Sequence, residues 1–573
     1  MLNKDENKVI NIKAVLWGVL VLFLLGLKVF HLDADLPHWN IMFYTPIDEG
    51  PYAMQAHRFA RPEIIEQVKM LNVEGMKEWN SSVSFLLTLF TTLSLKLFGN
   101  NYYGLRMGAV FASFIISFII LYNIGLMKHK NDVRKYRIAY FFAVMELAFG
   151  FSFVFASRVV EPSIFRSLLI LITVTYVYNC HHKNMKINYY ILGILSTLTV
   201  TWGYVTNVFV FFAIGILLIW DLIEYKNWKI IFEFILGCII CFLTSEIIMK
   251  IIQDRTFFED TIRILGHEKK RVTLSLERII SNMKAMICCN MFSYNIVFFV
   301  LAIFSEGYCL ITGFLQKNRA KVYSSMLVLG FFMQGLLTND FAKRKTIVLF
   351  PIFIVLICQW IIESFEKSEQ WKKIIDILII LLLSIFGWKN LHYRINLLSD
   401  VDMSLGFKHV FVIVSTISVL MMILAFVIKN NKCRWGIVIT LLLISDLCMD
   451  YEYIVKMNKT EKELMITLGE SIGNDYVLGF GYSYCLYNDI IPVSNSYDSY
   501  YEKEYVEFNT KVLDQNKVKY YLGYHESKLN HFDKVSNSKN YKWQEKNRFY
   551  TYYNVEPDAD EIYDIYLYVT AVK

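Results

Sequence analysis

The run Asp48-Glu-Gly-Pro-Tyr-Ala-Met-Gln-Ala-His-Arg58 lies about seventeen residues beyond an apolar stretch, 14–31. Adjacent carboxylates that near the end of a hydrophobic segment sit close to a lipid surface, where one of them can act as a general base. Gly50-Pro51 stops the preceding chain, and the proline suits the first turn of a helix carrying Tyr52, His57 and Arg58. By composition alone the same stretch reads as a solvated loop turn, so its surroundings decide.

Those surroundings are membrane sequence. Of 573 residues, 55% are hydrophobic and 19% charged, with eight prolines and a mean hydropathy of +0.39. Soluble proteins average about 45–50% and about 25%. A disordered chain, a collagen, a disulfide-stapled secreted domain and an ordinary soluble enzyme are excluded. A net charge of +7 is modest for this length and argues for no nucleic-acid partner. The ten cysteines lie mostly in apolar runs and show no zinc spacing; Cys288-Cys289 reads as part of a helix entering lipid rather than a metal or redox pair.

A span needs about 20 mostly apolar residues. Thirteen segments qualify: 14–31, 104–127, 138–156, 163–179, 188–201, 203–220, 230–249, 292–316, 322–338, 346–364, 374–388, 408–428 and 435–449. The first is expected to be an anchor, since no cleavage site follows it. Thr201-Trp202-Gly203 is expected to turn the chain between 188–201 and 203–220. A further run, Ser84 to Phe98, is assigned to the membrane plane. Were it to span, the loop 128–137 with its five Lys and Arg would face outward, against the positive-inside bias. Thr88, Thr91, Thr92, Ser94 and Lys96 suit an interfacial helix.

The expected fold is therefore an all-α polytopic membrane protein of about thirteen transmembrane helices plus a small external α+β domain. A cytoplasmic tail, 1–13, precedes a transmembrane domain, 14–449, with a long external first loop, 32–103. Loops 157–162 and 250–291 are also external, as is a C-terminal domain, 450–573, holding 20 of the 37 tyrosines. Alternation over Lys517–Leu522 and Phe549–Val555 predicts strands there. Exposed tyrosines can stack on sugars and are also ordinary strand formers.

Asp48-Glu49-Gly50-x-Tyr52-Ala53-x-x-Ala56 resembles the first-loop motif of the polyprenyl-phosphate-dependent GT-C glycosyltransferases, in particular the branch of the lipid A aminoarabinose transferases and protein O-mannosyltransferases. The resemblance spans roughly residues 14–365 as a pattern, and the Asp48 motif is its specific part. It implies a membrane glycosyltransferase, inverting in mechanism, with Asp48 activating or positioning the acceptor hydroxyl beside Glu49. His57 stands where that branch tends to carry Arg, with Arg58 as the substitute. Leu97-Phe-Gly99 followed by Arg106 resembles the family's approach to its second span. Ser157-Arg158-Val-Val-Glu161-Pro162 occupies the place of its second external acid, with Glu161 for the usual Asp. Lys343-Arg344-Lys345 before Pro351 resembles its basic approach to a late span, whereas Glu78-Trp79 lacks both prolines of the family's Glu-Lys-Pro-Pro stretch.

What the resemblance implies about ligands follows. The donor is a polyprenyl-phosphate sugar and the acceptor a glycan, lipid or protein. Tyr52, His57, Arg58, Arg158, Lys343, Arg344 and Lys345 are the substrate-binding candidates, and the protein works in the plasma membrane among membrane lipids. No metal ligand is assigned, His267 being a lone loop histidine, and a divalent metal is left open.

The chemistry needs the same groups. A lipid phosphate is already a good leaving group, so the site must supply a base and cations for the departing phosphate. External basic residues (Arg255, Arg263, Lys269, Lys270 and Arg271 among them) run against the usual charge bias, which phosphate binding or anionic headgroups would each explain. Glu146, Glu233, Glu246, Glu306 and Asp446 fall inside the spans, mostly near helix ends; Glu306 is the deepest and is read as a polar bundle contact. Two other readings stand beside this one. A lipid-linked saccharide transporter or flippase would show pseudo-symmetric halves and polar groups at mid-membrane, and a non-catalytic envelope assembly protein would act through 451–573.

Overall fold

A computed structural model of the chain describes residues 18–33, 56, 59–62, 84–127, 133–253, 256–259, 261, 275–277, 279–280, 282–283, 296–338, 346–364, 431–450, 454 and five strands between 476 and 570. The helices are α1 (Gly18–Val29), α2 (Phe85–Phe98), α3 (Tyr102–Leu126), α4 (Val133–Phe149), α5 (Phe151–Ala156), α6 (Pro162–His182), α7 (Tyr189–Leu198), α8 (Phe209–Tyr225), α9 (Lys229–Gln253), α10 (Ile296–Leu315), α11 (Arg319–Thr338), α12 (Phe350–Ser364) and α13 (Asn431–Asp450). Among the described residues five stretches are long and apolar enough to cross a membrane: Tyr102–Leu126, Pro162–His182, Val205–Tyr225, Lys229–Ile252 and Phe298–Leu315. The expected spans 374–388 and 408–428 lie outside the described residues. The expected span 138–156 is broken at Gly150, where an added Cβ would stand 2.4 Å from the Glu146 carbonyl oxygen.

Helix–helix contacts sort the bundle into two ends. At one, the Tyr122 hydroxyl donates to Asn179, Tyr176 donates to the Asn188 carbonyl, and Tyr189 donates to Asp221. Arg319 reaches across from α11 to α8, with Nε 2.6 Å from Asp221 Oδ1 and Nη2 2.9 Å from Glu224 Oε2. Beside it the buried Lys321 ammonium pairs with Glu363 at 2.5 Å and donates to Gln316 at 2.8 Å. Exposed Lys183, Lys186, Lys226, Lys229 and Lys317 share this lysine-rich end. The opposite end carries the chain around Leu32, the linker 157–161, the turns at 199–208 and Thr346–Leu349, which Ser167 Oγ ties to α6 through the Ile347 and Val348 carbonyls.

The expected turn at Thr201–Gly203 is a π-helical turn, Thr199–Gly203, followed by a 3₁₀ turn, Val205–Val208. Asn207 Nδ2 donates to the Thr199 carbonyl at 2.7 Å, and α7 and α8 run back to back, so that Tyr189 at the start of one meets Asp221 at the end of the other. Such irregular backbone is tolerated at membrane depth only where its freed groups find protein partners.

Both termini of α2 touch the Arg158-bearing end. The Ser84 hydroxyl donates to the Trp202 carbonyl at 3.1 Å, and Gly99, at φ +86°, turns directly into the Asn101 cap of α3. The helix therefore lies across one end of the bundle instead of traversing it. Its hydroxyls face inward: Ser84, Thr88, Thr91 and Ser94 are buried, while Leu89, Leu93 and Leu97 are exposed. Hydroxyls turned into the protein and leucines turned out are what lipid contact favours.

The most intimate packing joins α7 to α9. A Cβ on Gly193 would lie 2.4 Å from the Phe234 carbonyl oxygen, and one on Gly237 2.2 Å from that of Tyr190, so the two backbones touch through paired glycines. In the C-terminal part, five strands form one mixed sheet in the order β2-β1-β3-β5-β4, with β1 (Tyr476–Gly479) parallel to both β2 (Ile491–Pro492) and β3 (Tyr520–Gly523), and β5 (Tyr566–Thr570) antiparallel to β3 and β4 (Phe532–Asn537). The strand expected over Lys517–Leu522 overlaps β3; 549–555 lies outside the described residues.

The glycine seam yields a matched pair of variants. Gly237→Ala or Gly193→Ala should lower stability by ~2 kcal/mol or more through forced helix separation. Gly215→Ala, where nothing stands within 4 Å of the added Cβ, should be neutral or slightly stabilising, and thermal unfolding in detergent reads the difference.

Candidate functional site

Helix α1 ends against an arginine. Arg158, in the linker between α5 and α6, donates from Nη1 to the carbonyls of Leu27 (2.5 Å), Lys28 (3.4 Å) and Phe30 (2.5 Å), and from Nη2 to that of His31 (2.7 Å). The last carbonyls of a helix have no partners within it and carry its negative pole, so a buried cation there satisfies both needs. His31, at φ 49°, bends the chain out of the helix. Next to it Arg106 Nη1 donates to the Leu32 carbonyl at 2.8 Å while its guanidinium lies over the Tyr102 ring, 4.4 Å from the centroid.

These cations sit among acids. Burial, and then the like charge of Arg106, lower the Arg158 guanidinium to about 9, and Asp450, Tyr103 and Asp33 pull it back up; it is cationic at neutral pH. Asp33 follows α1 and Asp450 closes α13, so one buried charge cluster draws together α1, α3, the 157–161 linker and α13.

Glu161 is buried at the N-cap of α6, and its Oε2 accepts from the Ser163 amide at 2.7 Å. With Pro162 opening the helix, this is a strong local start signal. One turn on, Arg166 Nε donates to Asn207 at 2.8 Å, and the guanidinium lies 5.2 Å from the centroid of the Tyr204 ring. The second external acid of the sequence analysis thus stands at the same end as Arg158.

Asp48, Glu49, Tyr52, His57, Arg58, Lys343, Arg344 and Lys345 lie outside the described residues, but their chain neighbours are placed. Ala56 is fully buried, and its carbonyl accepts from Thr92 of α2 at 3.4 Å. Thr346, bonded to Lys345, is buried beside the Ile347–Leu349 turn that Ser167 holds. Asp33, Ala56 and Thr346 are thus placed at the Arg158 end.

Sequence reasoning overlooked Lys28, Asp33 and Asp450. Lys28 is a lone charge inside an apolar run, which alone could have flagged it. Its side chain is 0% exposed, its ammonium stands 4.6 Å from the centroid of the Phe153 ring, and among the described residues Nζ has no hydrogen-bond partner. Among the described residues no group of three His, Cys, Asp or Glu side chains converges as a metal site would require.

No family model and no curated relative matches the chain. Solved structures do. The apo crystal structure of ArnT from Cupriavidus metallidurans superposes with a TM-score of 0.56 at 10% identity, covering 97% of this chain and 98% of that one. The same protein bound to undecaprenyl phosphate gives 0.54 at 8% identity, with 97% of each chain covered. The archaeal oligosaccharyltransferase AglB from Archaeoglobus fulgidus gives 0.41 at 10% identity, over 88% of this chain and 68% of that one. The likeness to ArnT runs nearly end to end, so this chain has the fold of ArnT.

Replacing Arg158 by Met leaves several helix-end carbonyls without a donor and should cost ~3 kcal/mol or more of stability. Arg158→Lys, which keeps the charge and loses the fork, should recover part of that in the same thermal unfolding measurement.

Proposed function

We propose that this chain is a membrane glycosyltransferase that moves a sugar from a polyprenyl-phosphate donor to an acceptor at the external membrane face. The observation that supports the reading is the gathering at one bundle end of Glu161, Arg158, Asp33, Ala56 and Thr346, on a chain with the fold of ArnT. That ArnT has been crystallised with undecaprenyl phosphate supports a lipid-phosphate donor here.

In this reading Asp48 takes the proton of the acceptor hydroxyl, with Glu49 beside it, as the acceptor oxygen attacks the anomeric carbon. The bond from that carbon to the phosphate oxygen breaks with inversion, and the departing polyprenyl phosphate is met by Lys343, Arg344 and Lys345. Tyr52, His57 and Arg58 are substrate-binding candidates in the same stretch. Arg158 works from behind, fixing the end of α1 from which the first loop departs, and Glu161 holds the start of α6. A glycan, a lipid and a protein are all chemically adequate acceptors.

The lysine-rich end is then cytoplasmic and the Arg158 end external, following the positive-inside bias. The thirteen-span count, the cytoplasmic N-terminus and the external C-terminal domain follow from that orientation and belong to the same proposal.

Asp48→Asn should abolish sugar transfer from a radiolabelled lipid donor in membranes that contain normal amounts of the protein; full activity in that variant would remove the assignment. The orientation has its own check. Met185→Cys, at a position 59% exposed on the lysine-rich end, should react with a membrane-impermeant maleimide only after cells are opened. Labelling of intact cells would invert the topology and with it the site.

A further inference from the structure

Lys28 is a fully buried amine without a hydrogen-bonding partner among the described residues, at the external end of α1 in the proposed orientation. Leaving a charge buried and unpaired is costly, and such groups are found where something else completes them. What surrounds Lys28 narrows what that something is. Its ammonium rests on the face of Phe153; Phe153 stacks on Phe350, centroids 5.2 Å apart and planes 4° from parallel; Phe350 stacks in turn on Phe298 at 4.8 Å. This aromatic floor joins α5, α10 and the first residue of α12, five residues after the Lys343-Arg344-Lys345 run. A ring face attracts a cation and offers it no anion, so the amine finds no acidic partner on that side.

We propose that Lys28 is a binding residue for an anionic phosphate headgroup, its ammonium pairing with the phosphate oxygens. The inference rests on the glycosyltransferase reading, which supplies a polyprenyl phosphate as that headgroup's source. The four-carbon stem of lysine lets the ammonium swing from the ring face towards the arriving phosphate without movement of α1. Arg158 is committed to the carbonyls at both Leu27 and His31, which fixes the backbone from which Lys28 projects.

The test uses the purified full-length chain in lipid nanodiscs and measures its affinity for undecaprenyl phosphate, undecaprenol and phosphatidylglycerol. Lys28→Met removes the charge at nearly constant volume, and Lys28→Gln is the second variant should the first not fold. Wild-type protein is expected to prefer undecaprenyl phosphate. Either variant should weaken that binding at least tenfold, leave undecaprenol binding unchanged and unfold at the same or a higher temperature, because an unpaired buried charge has been removed. Equal undecaprenyl phosphate binding by wild type and variant overturns the role of Lys28 and leaves the transferase reading standing. A lowered unfolding temperature with unchanged binding marks Lys28 as structural and also overturns it. Phosphatidylglycerol bound as tightly as undecaprenyl phosphate, with the same dependence on Lys28, overturns the donor-lipid assignment in favour of bulk headgroups. Failure of the wild-type chain to bind any phosphate lipid counts against the transferase reading itself.

Discussion

One guanidinium sets the geometry of one end of the bundle. The carbonyls that close α1 form a converging negative pole, and Arg158 meets four of them at once from a linker more than 120 residues further along the chain. A lysine could reach one or two; the planar fork of an arginine matches several acceptors in a fixed arrangement. Because the same linker runs directly into the Glu161 cap of α6, the position of α1 and the start of α6 are one mechanical unit. The first loop departs from that unit, so the proposed acid–base chemistry inherits its placement from a contact that takes no part in it.

Around this anchor the chain solves the membrane problem by two different means. Where helices must approach closely it uses glycine, as at Gly193 and Gly237, letting backbone touch backbone. At the lysine-rich end it pairs its charges: Arg319 with Asp221 and Glu224, and the buried Lys321 with Glu363. Such pairs are costly to bury and strongly destabilising to break, so they specify which helices meet more than they add to stability.

Much of the helical framework was legible because lipid imposes a length and a polarity that few other environments do. The runs 104–127, 163–179 and 230–249 coincide with α3, α6 and α9 to within a few residues. The break at Gly150 was not, since a glycine in an apolar run reads the same whether the helix continues or ends; only the nearby Glu146 carbonyl decides. Nor was the orientation of α2 legible, because period alone gives a stripe of hydroxyls without saying which neighbour it faces. Arg158 and Glu161 were recognisable as charges in a short linker between two apolar runs, but the Arg158 hydrogen bonds depend on where distant carbonyls point. Lys28 was masked by its surroundings, a cation that hydropathy averages away.

The clamp between α8 and α11 has a consequence for biogenesis. Asp221 and Glu224 leave the ribosome about a hundred residues before the Arg319 that neutralises them. The nascent chain must therefore carry two uncompensated acids at one boundary of the bilayer while the intervening helices are threaded, and lateral release of α8 from the insertion machinery gains its electrostatic reward only once α11 has arrived. Assembly order, and not the finished fold alone, is written into that arginine.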